Sequence, residues 1–273
     1  MTQFIRHYLL SLQFFTRVPV TGRLAQWVGY SPAMLRASAA HFPGVGWLVG
    51  GVVAAVSGLT LLSLHGGSFA PLVAAVLGTV VSVLMTGAFH EDGLADVADG
   101  LGGSLNRERA LEIMKDSRVG AFGAIAITLA LLLKVALLAQ LGSLDVPVLC
   151  GSVFLAHVVS RTWPLLLIRL LPHVGDLAGS KSKPLADQIT LSALGFAGLW
   201  CFLAVALVGY AQAAINTVAI VSALVASAVA FVGLWRWFAR RLGGFTGDCL
   251  GSTQQVCELA FYLGLALGYG APV

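Results

Sequence analysis

The chain has 273 residues, of which 58% are hydrophobic and only 10% are charged, and its mean hydropathy is +0.89. Soluble domains carry roughly 25% charged residues, so this composition excludes an ordinary soluble enzyme and indicates an integral membrane protein. The formal net charge of +4 follows from basic residues at the ends of apolar stretches, and it gives no reason to expect nucleic acid as a partner.

The N-terminal segment "FIRHYLLSLQFFTRVPV" comes before the first long apolar stretch. Arg17 and Pro19 interrupt it, and no small-residue cleavage site follows, so a signal peptide is not favoured. Its mixture of charged, aromatic and aliphatic residues predicts an amphipathic helix that lies in the membrane interface.

Seven apolar stretches follow, and six of them approach or exceed the roughly 20 residues with which a helix crosses hydrocarbon. The six lie at 45–64, 69–89, 120–141, 146–171, 189–210 and 213–235, and the shorter seventh lies at 256–269. The polar connections are too short to form a second domain. The sequence therefore predicts an all-α fold in which residues 1–273 form one polytopic helical bundle with six to seven transmembrane helices.

Basic residues occur before the first apolar stretch and after the second, fourth and sixth, whereas the other connections have no Lys or Arg. They are Arg6, Arg17, Arg23 and Arg36, then Arg107, Arg109, Lys115 and Arg118, then Lys181 and Lys183, and finally Arg236, Arg240 and Arg241. Because positive charge near span ends is retained in the cytoplasm, we expect the N-terminus and these long connections to be cytoplasmic.

The segment "HEDGLADVADG" puts four carboxylates directly after the second apolar stretch. On an α-helix, Asp92, Asp96 and Asp99 have i, i+4, i+7 spacing and lie within about 60° of one another. Glu91 lies at the edge of this face, and Leu94 and Val97 are on the opposite, apolar face. The spacing predicts one acidic helix face at the cytoplasmic interface, whereas a solvated loop would not require such spacing.

Neighbouring carboxylates repel each other and resist desolvation, so we expect a divalent cation at Glu91, Asp92, Asp96 and Asp99. Oxygen ligands favour Mg²⁺, which commonly shares its coordination with substrate phosphates. The glycines of the segment are open to two interpretations: they allow a bulky phosphate ester to approach, or they pack against neighbouring helices.

The next connection contains "IMKDSRVGAFG", in which Lys115 and Arg118 are candidates to bind substrate phosphate. In "SRTWP", Arg161 interrupts the fourth apolar stretch and is a third candidate. A charge inside a span needs a partner, and the acidic segment or His157 could supply it. Lys134 also falls in a span, but its neighbours along the chain are apolar, so it has no assigned role.

The segment "GGFTGDCLGS" places Thr246 and Asp248 among glycines after the sixth apolar stretch, and Glu258 follows. A glycine-rich backbone can form an anion-binding concavity. Asp248 would repel a phosphate, so we interpret it as a metal ligand, a general base or an acceptor for a sugar hydroxyl.

The motifs quoted above, with "HFPGVGWLVG" before the first apolar stretch, occur in one order along nearly the whole chain. In this pattern the chain resembles the adenosylcobinamide-GDP ribazoletransferases, the cobalamin (5′-phosphate) synthases of bacteria and archaea. The resemblance implies transfer of the adenosylcobinamide phosphate moiety from adenosylcobinamide-GDP to α-ribazole or α-ribazole 5′-phosphate. It also implies release of GMP, a requirement for Mg²⁺ and a location in the inner membrane.

With this chemistry in mind, Asp99 and Asp248 are the candidates for the base that accepts the proton of the attacking ribose hydroxyl. The acidic motif also partly resembles that of the CDP-alcohol phosphatidyltransferases, but it lacks their spacing. A lipid synthase of that type and a cation transporter are the alternative functions. The sequence leaves open whether the chain forms a homo-oligomer.

Overall fold

A computed structural model describes residues 2–64, 66–175, 188–211 and 216–270. Within these ranges the regular elements are helices, apart from one parallel bridge between His173 and Phe245. The helices are α1 (Thr2–Phe15), α2 (Gly22–Val28), α3 (Pro32–Ser38), α4 (Phe42–Ser63), α5 (Ala70–Thr86), α6 (Phe89–Gly103), α7 (Arg107–Met114), α8 (Ala121–Leu144), α9 (Val146–Val159), α10 (Trp163–Leu170), α11 (Leu191–Ala211), α12 (Thr217–Leu242) and α13 (Gly247–Gly270).

The apolar helices confirm the predicted polytopic membrane fold. Five segments are long and apolar enough to cross a membrane, and the pair α5 and α6 makes a sixth if it is counted as one bent span. The five are Pro32–Ser63, Ala121–Leu144, Val146–Leu170, Leu191–Ala211 and Thr217–Leu242. Lys181 and Lys183, on which part of the predicted topology depends, lie outside the described residues.

A sharp bend divides α5 from α6, and the sequence analysis did not predict it. Gly87 and Ala88 both adopt left-handed backbone conformations, with φ of 67° and 57°, and the two helices meet at 88°. With a rise of 1.5 Å per residue, α5 is about 26 Å long, which is close to the thickness of hydrocarbon. We therefore treat α5 as the crossing helix and α6 as a polar helix that runs across its end.

The last helix begins nine residues before the apolar stretch that predicted it, because its first turns are buried in protein instead of lipid. The Thr246 hydroxyl accepts a 3.4 Å hydrogen bond from the Cys249 N–H, as an N-cap does. Farther along, Gly264 lies against the backbone of Ala223, with 2.5 Å between the Ala223 Cα and a Cβ built at Gly264. Such small residues allow α12 and α13 to pack closely. On its other side α13 packs against α6, which brings the acidic segment to the glycine-rich one.

Candidate active site

The acidic face of α6 divides into an open part and a closed part. Asp92 is exposed and Asp96 is half-buried, whereas Asp99 is only 8% exposed. The segment forms a helix, as the spacing of its aspartates predicted, and Val97 on the predicted apolar face is buried. The three aspartates therefore share a helix, but they do not share an environment.

Asp99 is directed toward the first turn of α8. One carboxylate oxygen accepts a 2.7 Å hydrogen bond from the Gly120 N–H, and the other accepts a 2.8 Å bond from the Gly123 N–H. Unpaired amides and the helix dipole make a helix N-terminus favourable for a carboxylate. Asp99 thus holds the connection that carries Lys115 and Arg118 beside α6.

Asp248 joins the open carboxylates, and Asp92, Asp96 and Asp248 together are called the acidic patch below. Gly93 allows this approach, since a Cβ built there would lie 2.8 Å from the Asp248 carbonyl oxygen. Burial and then the charges of Asp248, Asp92 and Asp99 raise the pKa of Asp96 to about 7. Burial also raises the pKa of Asp248, against a hydrogen bond from the Thr246 hydroxyl. Burial and the neighbouring carboxylates therefore both favour the protonated form of Asp96.

Glu91 is directed into the helix bundle, away from the acidic patch. Its Oε1 accepts a 3.0 Å hydrogen bond from Gln255 Nε2, and its buried Oε2 has no hydrogen-bond partner within the described part of the chain. Across those same residues, no three His, Cys, Asp or Glu side chains are arranged to hold a metal ion. The predicted ligand set of Glu91, Asp92, Asp96 and Asp99 is therefore not preassembled, and the Mg²⁺ site stays a prediction.

The three predicted phosphate-binding residues occupy two different places. Lys115 and Arg118 are exposed in the connection before α8, where the Arg118 Nη2 lies 2.5 Å from Asp116 Oδ2. Hydrogen bonds from Arg118 lower the pKa of Asp116 to about 2. Arg161 is only 1% exposed, and its Nη1 lies 3.0 Å from the His157 Nδ1 and donates to the His157 carbonyl. Arg161 is thus buried within the bundle, while the other two are at its surface.

A buried hydrogen-bonded chain, called the buried network below, connects Lys134 to Glu91, and the sequence analysis missed it. The Lys134 Nζ lies 2.7 Å from Glu258 Oε1, and both side chains are at most 2% exposed. Gln254 Nε2 donates to Glu258 Oε2 at 2.6 Å, and Gln255 Nε2 donates to both Gln254 Oε1 and Glu91. Each isolated charge in a span requires a partner, so the presence of Lys134 and Glu258 in two apolar stretches was the signal that could have paired them.

Packing accounts for two glycines of α6 that could have admitted a phosphate ester. Gly93 lies against Asp248, and a Cβ built at Gly100 would lie 2.9 Å from the Ala110 carbonyl oxygen on α7. The helix-packing interpretation therefore holds for these two positions.

Comparison with known proteins adds to this geometry. A family model described as cobalamin-5-phosphate synthase matches residues 7–266. The adenosylcobinamide-GDP ribazoletransferase of Albidiferax ferrireducens is 68% identical, over 98% of this chain and 100% of that protein. The transferases of the same name from Leptothrix cholodnii and Vibrio cholerae are 46% and 40% identical, over 96% and 94% of this chain and 96% and 91% of their own lengths. No solved structure matches.

Proposed function

Because the chain belongs to the cobalamin-5-phosphate synthase family, a family of transferases, we propose that it joins adenosylcobinamide-GDP to α-ribazole or α-ribazole 5′-phosphate. Family membership supports a role at the joining step of cobalamin assembly. The acidic patch supports the proposed reaction on a pyrophosphate, since a metal-bound pyrophosphate would complement its carboxylates.

In the proposed reaction, a ribose hydroxyl oxygen of the acceptor attacks the phosphorus that carries the cobinamide. A new P–O bond forms to the ribose, the P–O bond between the two phosphorus atoms breaks, and GMP leaves with the bridging oxygen. The hydroxyl proton passes to a carboxylate. Asp248 is the better supported of the two predicted bases, because both oxygens of Asp99 already accept backbone hydrogen bonds.

We assign Mg²⁺ to Asp92 and Asp96, which leaves Asp248 available as the base. The other two predicted ligands, Glu91 and Asp99, already accept hydrogen bonds elsewhere. Burial, and after it the negative charge of the neighbouring carboxylates, raises the pKa of Asp96, and a bound cation would relieve both effects. When bound, Mg²⁺ would stabilise the charge that develops on the departing phosphate.

We propose that Lys115 and Arg118 contact the remaining phosphate oxygens; the hydrogen bond from Gly120 to Asp99, which holds their connection beside α6, supports this. Arg161 is buried near Glu91 and Glu258, so we assign it an electrostatic role within the bundle instead of direct contact. We also propose that the patch faces the cytoplasm from the inner membrane, since charged nucleotides reach it from that side and basic residues flank the helix ends there.

The observation that carries the proposal is that Asp248 lies against the open face of α6, beside Asp92 and Asp96.

The test is GMP release by detergent-purified protein given Mg²⁺, adenosylcobinamide-GDP and α-ribazole, with a CDP-alcohol mixture assayed in parallel. We expect Asp92→Asn and Asp96→Asn to lower the rate by about 100-fold or more, as removal of transition-state stabilisation does. Glu108→Gln, on the exposed face of α7, is the matched control and should retain the rate. Undiminished GMP release in both aspartate variants would contradict the mechanism, and product from the CDP-alcohol mixture would favour a lipid synthase.

A further inference from the structure

A cavity of about 980 Å³ opens where α1, α3 and the start of α11 meet, and no predicted site residue lines it. It is called the amphipathic pocket below. The aromatic part of its wall is formed by Phe4, His41 and Phe196, whose rings meet edge to face or tilted at centroid distances of 4.9, 5.0 and 5.8 Å. A volume near 1,000 Å³ is at the upper end for small-molecule sites, so the pocket fits a bulky ligand.

The rest of the wall mixes polar side chains with alanines and Ile189, and it carries no negative charge among the described residues. Its hydrogen-bonding groups are the side chains of Gln3, His7, Gln188, Thr190 and Ser192, with exposed Arg36 at the α3 side. No Asp or Glu of the described chain lines it. His41 is only 4% exposed, and its Nδ1 has no hydrogen-bond partner in the described ranges. Amides, hydroxyls and an imidazole beside aromatic rings suit a neutral, amide-bearing ligand with a large apolar surface.

Aromatic contacts lead from the pocket to α6, the helix that carries Asp92 and Asp96. α1 runs from Phe4 in the pocket to Phe15, about 17 Å away at 1.5 Å per residue. Phe15 stacks on Phe42 with 3.9 Å between centroids, and Phe42, which follows the pocket residue His41, stacks on His90 of α6 at 5.8 Å. α-Ribazole is one bicyclic base on one ribose and would fill only part of the pocket. The donor carries a bulky macrocycle on a flexible arm, which suits both the volume of the pocket and its connection to α6.

We propose that the amphipathic pocket binds the amide-edged corrinoid body of adenosylcobinamide-GDP while its pyrophosphate lies at the acidic patch. This rests on the function proposed above. The macrocycle would cover Phe4 and Phe196, and its peripheral amides would exchange hydrogen bonds with Gln3, Gln188 and Thr190. The acceptor would then approach the patch from outside the pocket.

The direct test uses cobinamide, which has the macrocycle but neither nucleotide nor pyrophosphate. Equilibrium dialysis against detergent-purified full-length protein, followed by corrinoid absorbance, gives its Kd. Phe196→Ala should weaken binding about 10-fold, since a lost aromatic contact is worth about one power of ten. Phe202→Ala, on the exposed side of the same helix, is the matched control. Ala193→Phe, which fills the pocket from α11, provides a second variant if Phe196→Ala does not fold. Unchanged cobinamide binding in the folded pocket variants would overturn the proposal.

Steady-state kinetics separate the pocket from the chemistry. Phe196→Ala should raise KM for adenosylcobinamide-GDP about 10-fold and leave KM for α-ribazole and kcat unchanged, whereas Asp96→Asn should bind cobinamide as the wild type does. A rise in KM for α-ribazole instead would assign the pocket to the acceptor and overturn the proposal. Two results together would refute the proposed function and leave the pocket assignment intact: Phe196→Ala weakens cobinamide binding, and the wild-type protein releases no GMP.

Discussion

The acidic patch and the buried network both place carboxylates in an apolar protein, but within the described ranges only the network contains its own counter-charge. Glu258 lies 2.7 Å from Lys134 and accepts hydrogen bonds from Gln254 and Tyr262. Asp96 has only like charges among the neighbours that shift its pKa, which is raised to about 7. Removing one member of a buried pair leaves an uncompensated charge and destabilises the fold, whereas carboxylates with raised pKa values are candidates for a functional site.

The largest expected effect comes from removing the cation of the buried network. Lys134→Met leaves Glu258 charged and unpaired in the bundle, and we expect a loss of about 3–5 kcal/mol in the free energy of unfolding, as for broken buried pairs. Thermal unfolding in detergent measures it. The double variant Lys134→Met with Glu258→Leu should recover most of the loss, because neither member of the pair is then left buried without the other. A double variant as unstable as the single one would contradict the pairing.

A smaller effect is expected where the network meets Glu91. Gln255→Leu leaves the Glu91 Oε1 without its donor, at a cost of about 1–3 kcal/mol for an unsatisfied buried group. Because Glu91 is directed away from the acidic patch, the Mg²⁺ concentration for half-maximal GMP release should stay unchanged. Gln140→Leu, at the exposed end of α8, is the control. A raised Mg²⁺ requirement in Gln255→Leu would contradict this and show that Glu91 reaches the metal.

The acidic patch should respond to pH in the direction set by Asp96. Since the pKa of Asp96 is raised to about 7, its carboxyl holds a proton below that pH and is charged above it. Mn²⁺ binding, measured by electron paramagnetic resonance as a substitute for Mg²⁺, should therefore be weak at pH 6 and strengthen toward pH 8. Asp248→Asn removes a repelling charge and should move the midpoint to lower pH. A midpoint that does not move would show that Asp248 and Asp96 are not coupled.

The smallest effect is expected at the exposed pair of Asp116 and Arg118. Because surface ion pairs contribute little, Asp116→Asn should leave the unfolding temperature unchanged within error. Arg118→Ala should instead raise KM for adenosylcobinamide-GDP, if this guanidinium contacts phosphate. Equal kinetics in Arg118→Ala and the wild type would remove Arg118 from the site.

Most of the fold could be predicted from local patterns, and the site only in part. The apolar stretches predicted the spanning helices, and the spacing of Asp92, Asp96 and Asp99 predicted that α6 is a helix. The bend at Gly87 and Ala88 was missed because two successive left-handed residues, one of them alanine, have no periodic signal. Lys134 was left without a role because its partner Glu258 is far away in the sequence.

The amino-acid sequence is enough to predict a multi-pass helical membrane protein in which one short segment concentrates the acidic residues. This is possible because insertion into hydrocarbon depends on windows of about 20 residues and helix faces depend on neighbours three or four positions apart. The packing of the helices was needed to show that Asp248 joins the acidic patch, that Asp99 caps α8 and that Glu91 is linked to Lys134. Those contacts join helices that are far apart along the chain, and their geometry is set by the packing of the whole bundle.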